Sequence, residues 1–137
     1  MLTVLVAVAV APVALTACGG DESDDPVATR RYDIPLAVDD SGDEYRYVAS
    51  GADPIDIRVG DEVTFELDNT GALPHDLVVV DPGGDTIAST PAAAPGASTT
   101  LTVRFDEAGF FRLRCLVGDH LTVHGMQTFI EVTEPAG

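Results

Sequence analysis

The chain has 137 residues, 23 of them acidic and 7 basic, for a formal charge of -16, and every basic residue is Arg. Such a charge repels nucleic acid and anionic headgroups, which excludes both as direct partners, and it steers a partner with a basic docking face toward the protein. Length leaves room for a leader and one domain, and with no Trp and few aromatics the core falls mainly to Val, Leu, Ile and Ala.

Residues 1–17 are an uncharged apolar run that closes on Leu15-Thr16-Ala17-Cys18-Gly19-Gly20. An apolar stretch ending in small residues reads as a secretory signal peptide, and with Pro12 inside it the run is short for a spanning helix. Leu15-Thr16-Ala17-Cys18 resembles the lipobox of bacterial lipoproteins. That resemblance implies a lipidated Cys18, an acidic tether over residues 18–29 and placement on the outer face of the cell membrane, or secretion where no lipid is added. It departs from the pattern in having no Lys or Arg before the apolar run.

From residue 30 onward the pattern is period-two alternation, with no convincing helical period. Arg31–Val38 and Tyr45–Ala49 read as two strands joined by an acidic turn over Asp39–Glu44. Ile55, Ile57 and Val59 alternate with polar residues, as do Val63, Phe65 and Leu67 after the Gly60-Asp61 turn. Leu77–Val80 is a short apolar run closed by Asp81-Pro82-Gly83-Gly84, and Thr86–Ala88 pairs back across that turn. A Pro/Ala/Gly loop over Ser89–Ser98 precedes Leu101, Val103 and Phe105. Phe110–Cys115 and Thr128–Val132 complete the set. Short strands at this spacing predict an all-β sandwich of seven to eight strands, one domain over 30–137.

Between the last two strands lies Cys115-Leu116-Val117-Gly118-Asp119-His120-Leu121-Thr122-Val123-His124-Gly125-Met126. Cys115-x4-His120 lets the chain leave the sheet, turn at Gly118 and bring an imidazole back toward a thiol. His75 sits upstream at another strand junction, stiffened by Pro74. Singly, each residue has a plain explanation, since a lone Cys is a small hydrophobe and a lone Met fills core. Together, two His, one Cys and one Met are the ligand set of a blue-copper centre, a trigonal site with a weak axial thioether.

Val59-Gly60-Asp61-Glu62-Val63-Thr64-Phe65, Asn69-Thr70-Gly71, Pro74-His75-Asp76, Ala108-Gly109-Phe110-Phe111 and the Cys115-to-Met126 loop follow one another as in cupredoxins, the plastocyanin/azurin-like blue copper proteins. The resemblance spans residues 55–133. It implies a Greek-key β-sandwich and one type 1 copper with His75, Cys115, His120 and Met126 as ligands, and it places Asn69 and Asp76 where family members brace the first His by hydrogen bonds. The chain departs from that pattern in the loop. Related proteins set Met one position sooner after the second His and follow it with Gly, whereas here Gln127-Thr128 follows Met126. Either the loop bulges and Met126 still reaches the axial position, or that position is weak, empty or taken by another group. His124, inside the expanded part, is the candidate replacement ligand.

These readings predict an extracytoplasmic, monomeric one-electron carrier that performs no catalysis. Its surface for a redox partner would be an apolar patch of Leu73, Leu116, Val117 and Leu121 rimmed by acids. Two alternatives share parts of the pattern: a copper storage or handling protein with no electron transfer, and a metal-free sandwich acting as an interaction module.

Overall fold

Alternation along the strands decides which face is buried. Ile34, Leu36 and Val38 of β1 (Arg31–Asp39) point inward, as do Val63, Phe65 and Leu67 of β4 (Glu62–Asp68). Phe111 and Leu113 of β8 (Gly109–Arg114) and Ile130 and Val132 of β9 (Gln127–Thr133) face them from the other side. The computed structural model describes residues 29–51 and 55–137. The expected leader over 1–17 and, apart from Thr29, the tether with Cys18 lie outside the described residues. Among those described, no helix is long and apolar enough to cross a membrane.

The other strands are β2 (Arg46–Ala49), β3 (Ile57–Arg58), β5 (Val78–Val80), β6 (Thr86–Ser89) and β7 (Ser98–Arg104). They form a four-stranded sheet in the order β2-β1-β4-β7 and a five-stranded sheet in the order β3-β9-β8-β5-β6. The chain changes sheet after β2, β3, β4, β6 and β7, the interleaving expected of a Greek-key sandwich. β1 with β4 and β3 with β9 run parallel, and the other pairs are antiparallel.

There are nine strands among the described residues, against the seven to eight expected. The Ile55–Val59 alternation contracts to the two paired residues of β3. The cause is local. Asp61 is buried and accepts from the backbone N–H of Arg58 at 2.8 Å while its own N–H bonds Arg58 O at 3.0 Å, so the chain turns toward β4 once Val59 N–H has met Thr133 O of β9. The same carboxylate takes the Arg30 guanidinium through Nε at 2.9 Å and the Tyr32 hydroxyl at 3.2 Å, closing the sandwich at the start of β4.

Between the sheets Phe105 sits edge-on to both Phe65 and Phe111, with ring centroids 6.4 and 4.9 Å apart. Edge-to-face pairs are worth about 0.5–1.5 kcal/mol beyond the area they bury. This aromatic stack lets a Val- and Leu-built core hold a rigid frame. The far end of that frame carries the chemistry.

Candidate metal centre

Beyond the end of β4, a buried amide binds two loops together. Asn69 Nδ2 donates to the carbonyls of Leu73 and Ala93, each at 2.8 Å, while its Oδ1 accepts from the Gly71 N–H at 3.1 Å. His75 then pairs with Ala93 as an isolated bridge, its N–H donating to Ala93 O at 3.1 Å and its carbonyl accepting from Ala93 N–H at 2.7 Å. The chain around the first imidazole is therefore fixed from both sides before any side chain of the site is considered. Asp76 ties it to the Cys115 segment, since its Oδ1 accepts from the Leu116 N–H at 2.8 Å and its carbonyl accepts from the Tyr47 hydroxyl.

The Cys115-to-Met126 loop is wound rather than splayed. Val123 N–H bonds Asp119 O at 2.9 Å and Gly125 N–H bonds Leu121 O at 3.1 Å, helical-type turns that shorten the segment. Gly118 and Gly125 take φ of 53° and 63°, left-handed values that favour Gly. Cys115 N–H reaches Met126 O at 3.1 Å and Met126 N–H reaches His120 O at 2.9 Å, so both ends of the loop are pinned together. The extra residue is absorbed in the winding, and Met126 stays opposite Cys115.

The result is a convergent set of donors. One ligand atom from each of His75, Cys115 and His120 lies within 4.8 Å of the others, and all three residues are buried. Cys115 Sγ is 3.8 Å from His75 Nδ1 and 3.5 Å from His120 Nδ1, and Met126 Sδ is 3.1 Å from His75 Nδ1. A metal bound by nitrogen at about 2.0 Å and sulfur at about 2.3 Å in a trigonal plane separates those donors by about 3.7 Å. The two sulfur–nitrogen distances bracket that value, so the residues fit a metal ion with little movement. Two imidazoles, a thiol and a thioether are soft to borderline donors, the class that suits copper.

Protonation follows from burial. Desolvation pushes the Cys115 thiol up to about 11, so without metal it is protonated at neutral pH. Desolvation, followed by the neighbouring His75 imidazole, depresses the His120 pKa and keeps a lone pair available there. The Nε2 of His120 has no hydrogen-bond partner among the described residues, and its edge lies at the protein surface, 6% exposed.

His124 is not among the converging donors. Its ring stacks on Tyr45 at 4.0 Å and 5°, and its Nδ1 donates to Asp43 O at 2.8 Å, which occupies that nitrogen. The winding of the loop directs it outward, so His124, the candidate replacement ligand, packs against the site from outside.

Sequence reasoning missed the β1–β2 connection, read as a solvated acidic turn. Asp40 turns inward and meets His75 Nε2 at 2.9 Å. Burial opposes its charge, but His75 and the N–H groups of Ala72 and Leu73 outweigh that and hold the carboxyl below its ordinary pKa. Tyr45 presents its edge to His120 at 5.1 Å and to His75 at 6.0 Å. One short connection thus touches all three imidazoles. A Tyr between Glu44 and Arg46, directly before β2, carries no signal of what its ring meets across the fold. Of the expected apolar patch, Leu73 and Leu116 are exposed and Val117 and Leu121 half-buried, with Val123 exposed in the same loop.

No family model matches the sequence, and no curated protein does. Similar solved structures include auracyanin A, a blue copper protein from the green thermophilic photosynthetic bacterium Chloroflexus aurantiacus, at 18% identity over 74% of this chain and 98% of that one, TM-score 0.57. Rusticyanin from Thiobacillus ferrooxidans is similar at 20% identity over 77% of this chain and 79% of that one, TM-score 0.59. A blue copper oxidase from Nitrosomonas europaea is similar at 23% identity over 80% of this chain but only 40% of its own, TM-score 0.52. Shared strand arrangement at such low identity establishes the fold, and the chain is a cupredoxin-like β-sandwich with a His75-Cys115-His120 cluster able to hold a metal ion.

Proposed function

We propose that this protein is an exported type 1 copper protein that carries single electrons. One observation carries the reading: four donors from two separated segments already converge at binding distances, held by backbone hydrogen bonds on a rigid sandwich. Copper held there supplies a one-electron couple between Cu(II) and Cu(I). His75, Cys115 and His120 would form the plane, with Met126 the weak fourth donor. Because their positions are fixed by the frame, little rearrangement accompanies a change of charge. His120, with one imidazole edge at the surface, is the shortest way out for an electron. The apolar residues beside it suit the small interfaces of transient redox encounters. We propose no catalysis for this site.

The partner would carry a basic face, and its association rate should fall steeply as ionic strength rises. Export and a lipid anchor at Cys18 rest on the leader alone, and mass spectrometry of the mature N-terminus tests them. Copper hand-over without electron transfer would need donors that open readily, whereas here they are buried and tied.

The direct test is a visible absorption and EPR spectrum of the purified protein with one equivalent of Cu(II). An intense thiolate-to-copper band with narrow hyperfine splitting supports the reading. A weakly coloured, readily exchanging centre favours copper handling, and no tight binding would leave a metal-free interaction module.

Two further results are expected. Met126→Leu should keep the visible band but raise the reduction potential, because the lost thioether helps Cu(II) more than Cu(I). Voltammetry showing no change would mean that Met126 does not reach the metal. Copper binding also displaces the Cys115 proton, so apparent Cu(II) affinity should rise about tenfold per pH unit between about pH 7 and 9, read by chelator competition. The same thiol is raised from an ordinary 9.0 to about 11 in the fold. Its contribution to stability of the metal-free protein is thus full below pH 9 and disappears between 9 and 11.

A further inference from the structure

Asp40 lies in a run of acidic residues, yet its side chain is only 5% exposed. Its Oδ2 accepts from Ala72 N–H at 2.9 Å, Leu73 N–H at 3.0 Å and His75 Nε2 at 2.9 Å, and its Oδ1 accepts from Ala72 N–H at 3.0 Å. The chain makes room for this arrangement. Gly71 has none of the left-handed φ values seen at other glycines, so its missing side chain serves space and not backbone conformation. A Cβ there would lie 2.7 Å from Asp40 Cγ and 2.9 Å from Oδ1, inside any tolerable contact.

The donors around the carboxylate determine the state of His75. Backbone N–H groups can only donate, so the oxygen they share must accept, and an ionised carboxylate is an acceptor only. The imidazole nitrogen beside that oxygen must then carry a proton. In the neutral imidazole this leaves the lone pair on Nδ1, the nitrogen that faces Cys115 and Met126. By contrast, His120 Nε2 has no carboxylate partner among the described residues.

We propose that Asp40 is the anionic positioning residue of the metal centre. It selects the Nε2-protonated tautomer of His75, and it holds a negative charge one imidazole away from the metal, favouring Cu(II) over Cu(I). This rests on the copper reading above. Outer partners of this kind orient a ligand and raise its basicity, and their loss costs about 10–100-fold in metal affinity.

Two variants separate charge from position. Asp40→Asn keeps the size and one acceptor oxygen but removes the charge. Gly71→Ala keeps the charge but pushes the carboxylate from its cradle. Cu(II) affinity should fall about 10–100-fold in Asp40→Asn with Cu(I) affinity less affected. Each tenfold difference corresponds to about 59 mV of upward shift in potential. Gly71→Ala should move the same way by a smaller amount. In the metal-free wild-type protein, nitrogen NMR should show the neutral form of His75 protonated at Nε2 alone, and Asp40→Asn should populate both tautomers.

If Asp40→Asn lowers thermal stability while potential and tautomer stay as in wild type, Asp40 is only a loop tie and the proposal is overturned. A mixed tautomer in the wild-type protein overturns it equally. Because that NMR readout needs no copper, failure of the wild-type protein to form a copper site would sink the functional reading while the assignment of Asp40 to His75 was still tested.

Discussion

Replacing Cys115 by Ser should abolish the intense visible band and lower Cu(II) affinity by more than a hundredfold, beyond the loss expected for a residue that merely hydrogen-bonds a ligand. The sulfur is the one soft anionic donor within reach, 3.5 and 3.8 Å from the two imidazole nitrogens. A serine hydroxyl does not ionise at neutral pH and is a hard donor, so it supplies neither the negative charge nor the covalency that makes such a site blue. Sulfur also sets the size of the site, since oxygen bonds a metal at shorter distance and would need the loop to contract against its backbone pins. Cys115→Ser buries a hydroxyl where the thiol is fully enclosed, at a cost of about 1–3 kcal/mol, whereas Cys115→Ala leaves a small void with no polar group. Both variants should therefore fold, with the Ala form the more stable when metal-free. Absorption, EPR and chelator competition on the two proteins decide the matter. A blue band that survives in either would show that Cys115 is not the thiolate ligand.

Much of this arrangement is legible in the sequence, and the divide between what is and is not has a physical basis. Strands whose one face is buried, such as Val63-Phe65-Leu67 and Phe111-Leu113, announce themselves by alternation, because burial selects residue type at every second position. Cys115, His120 and Met126 are visible because they lie close together in the chain and belong to residue types that plain solubility does not favour. What cannot be read is how much a loop winds. The added residue before Met126 leaves the thioether's position open in one dimension, and only the helical turns from Asp119 to Gly125 reveal that it is taken up. Asp40 is hidden for a different reason. It differs from its acidic neighbours Asp39 and Asp43 only in pointing inward, and its partner His75 is brought near by the β1–β4 pairing and not by sequence proximity. β3 is short for a comparable reason, since its end is set by the buried Asp61 and not by its own pattern.

Asn69→Ala should lower the stability of the metal-free protein by about 2–4 kcal/mol, one of the largest effects available outside the aromatic core. The amide is fully buried and donates both hydrogens, to Leu73 O and Ala93 O, while its oxygen takes Gly71 N–H. Ala93 O keeps one partner, the His75 N–H, but Leu73 O and Gly71 N–H lose theirs. A small void remains in their place. In a domain of this size that loss corresponds to a fall in Tm of roughly 10–20 °C. The damage should also reach the metal. Residues 71–73 carry the N–H groups and the open space that receive Asp40, so loosening them releases the carboxylate from His75, and Cu(II) affinity should fall together with stability. Asn69→Asp should be worse than Ala, because it sets a buried negative charge against two carbonyl oxygens. Urea unfolding of the metal-free proteins, paired with copper titration, tests both halves. A change in stability within about 0.5 kcal/mol would mean that the loop pairing of His75 with Ala93 holds without the amide. Lost stability with unchanged copper affinity would mean that the metal itself draws His75 into place, and that the frame is less rigid than an efficient electron carrier requires.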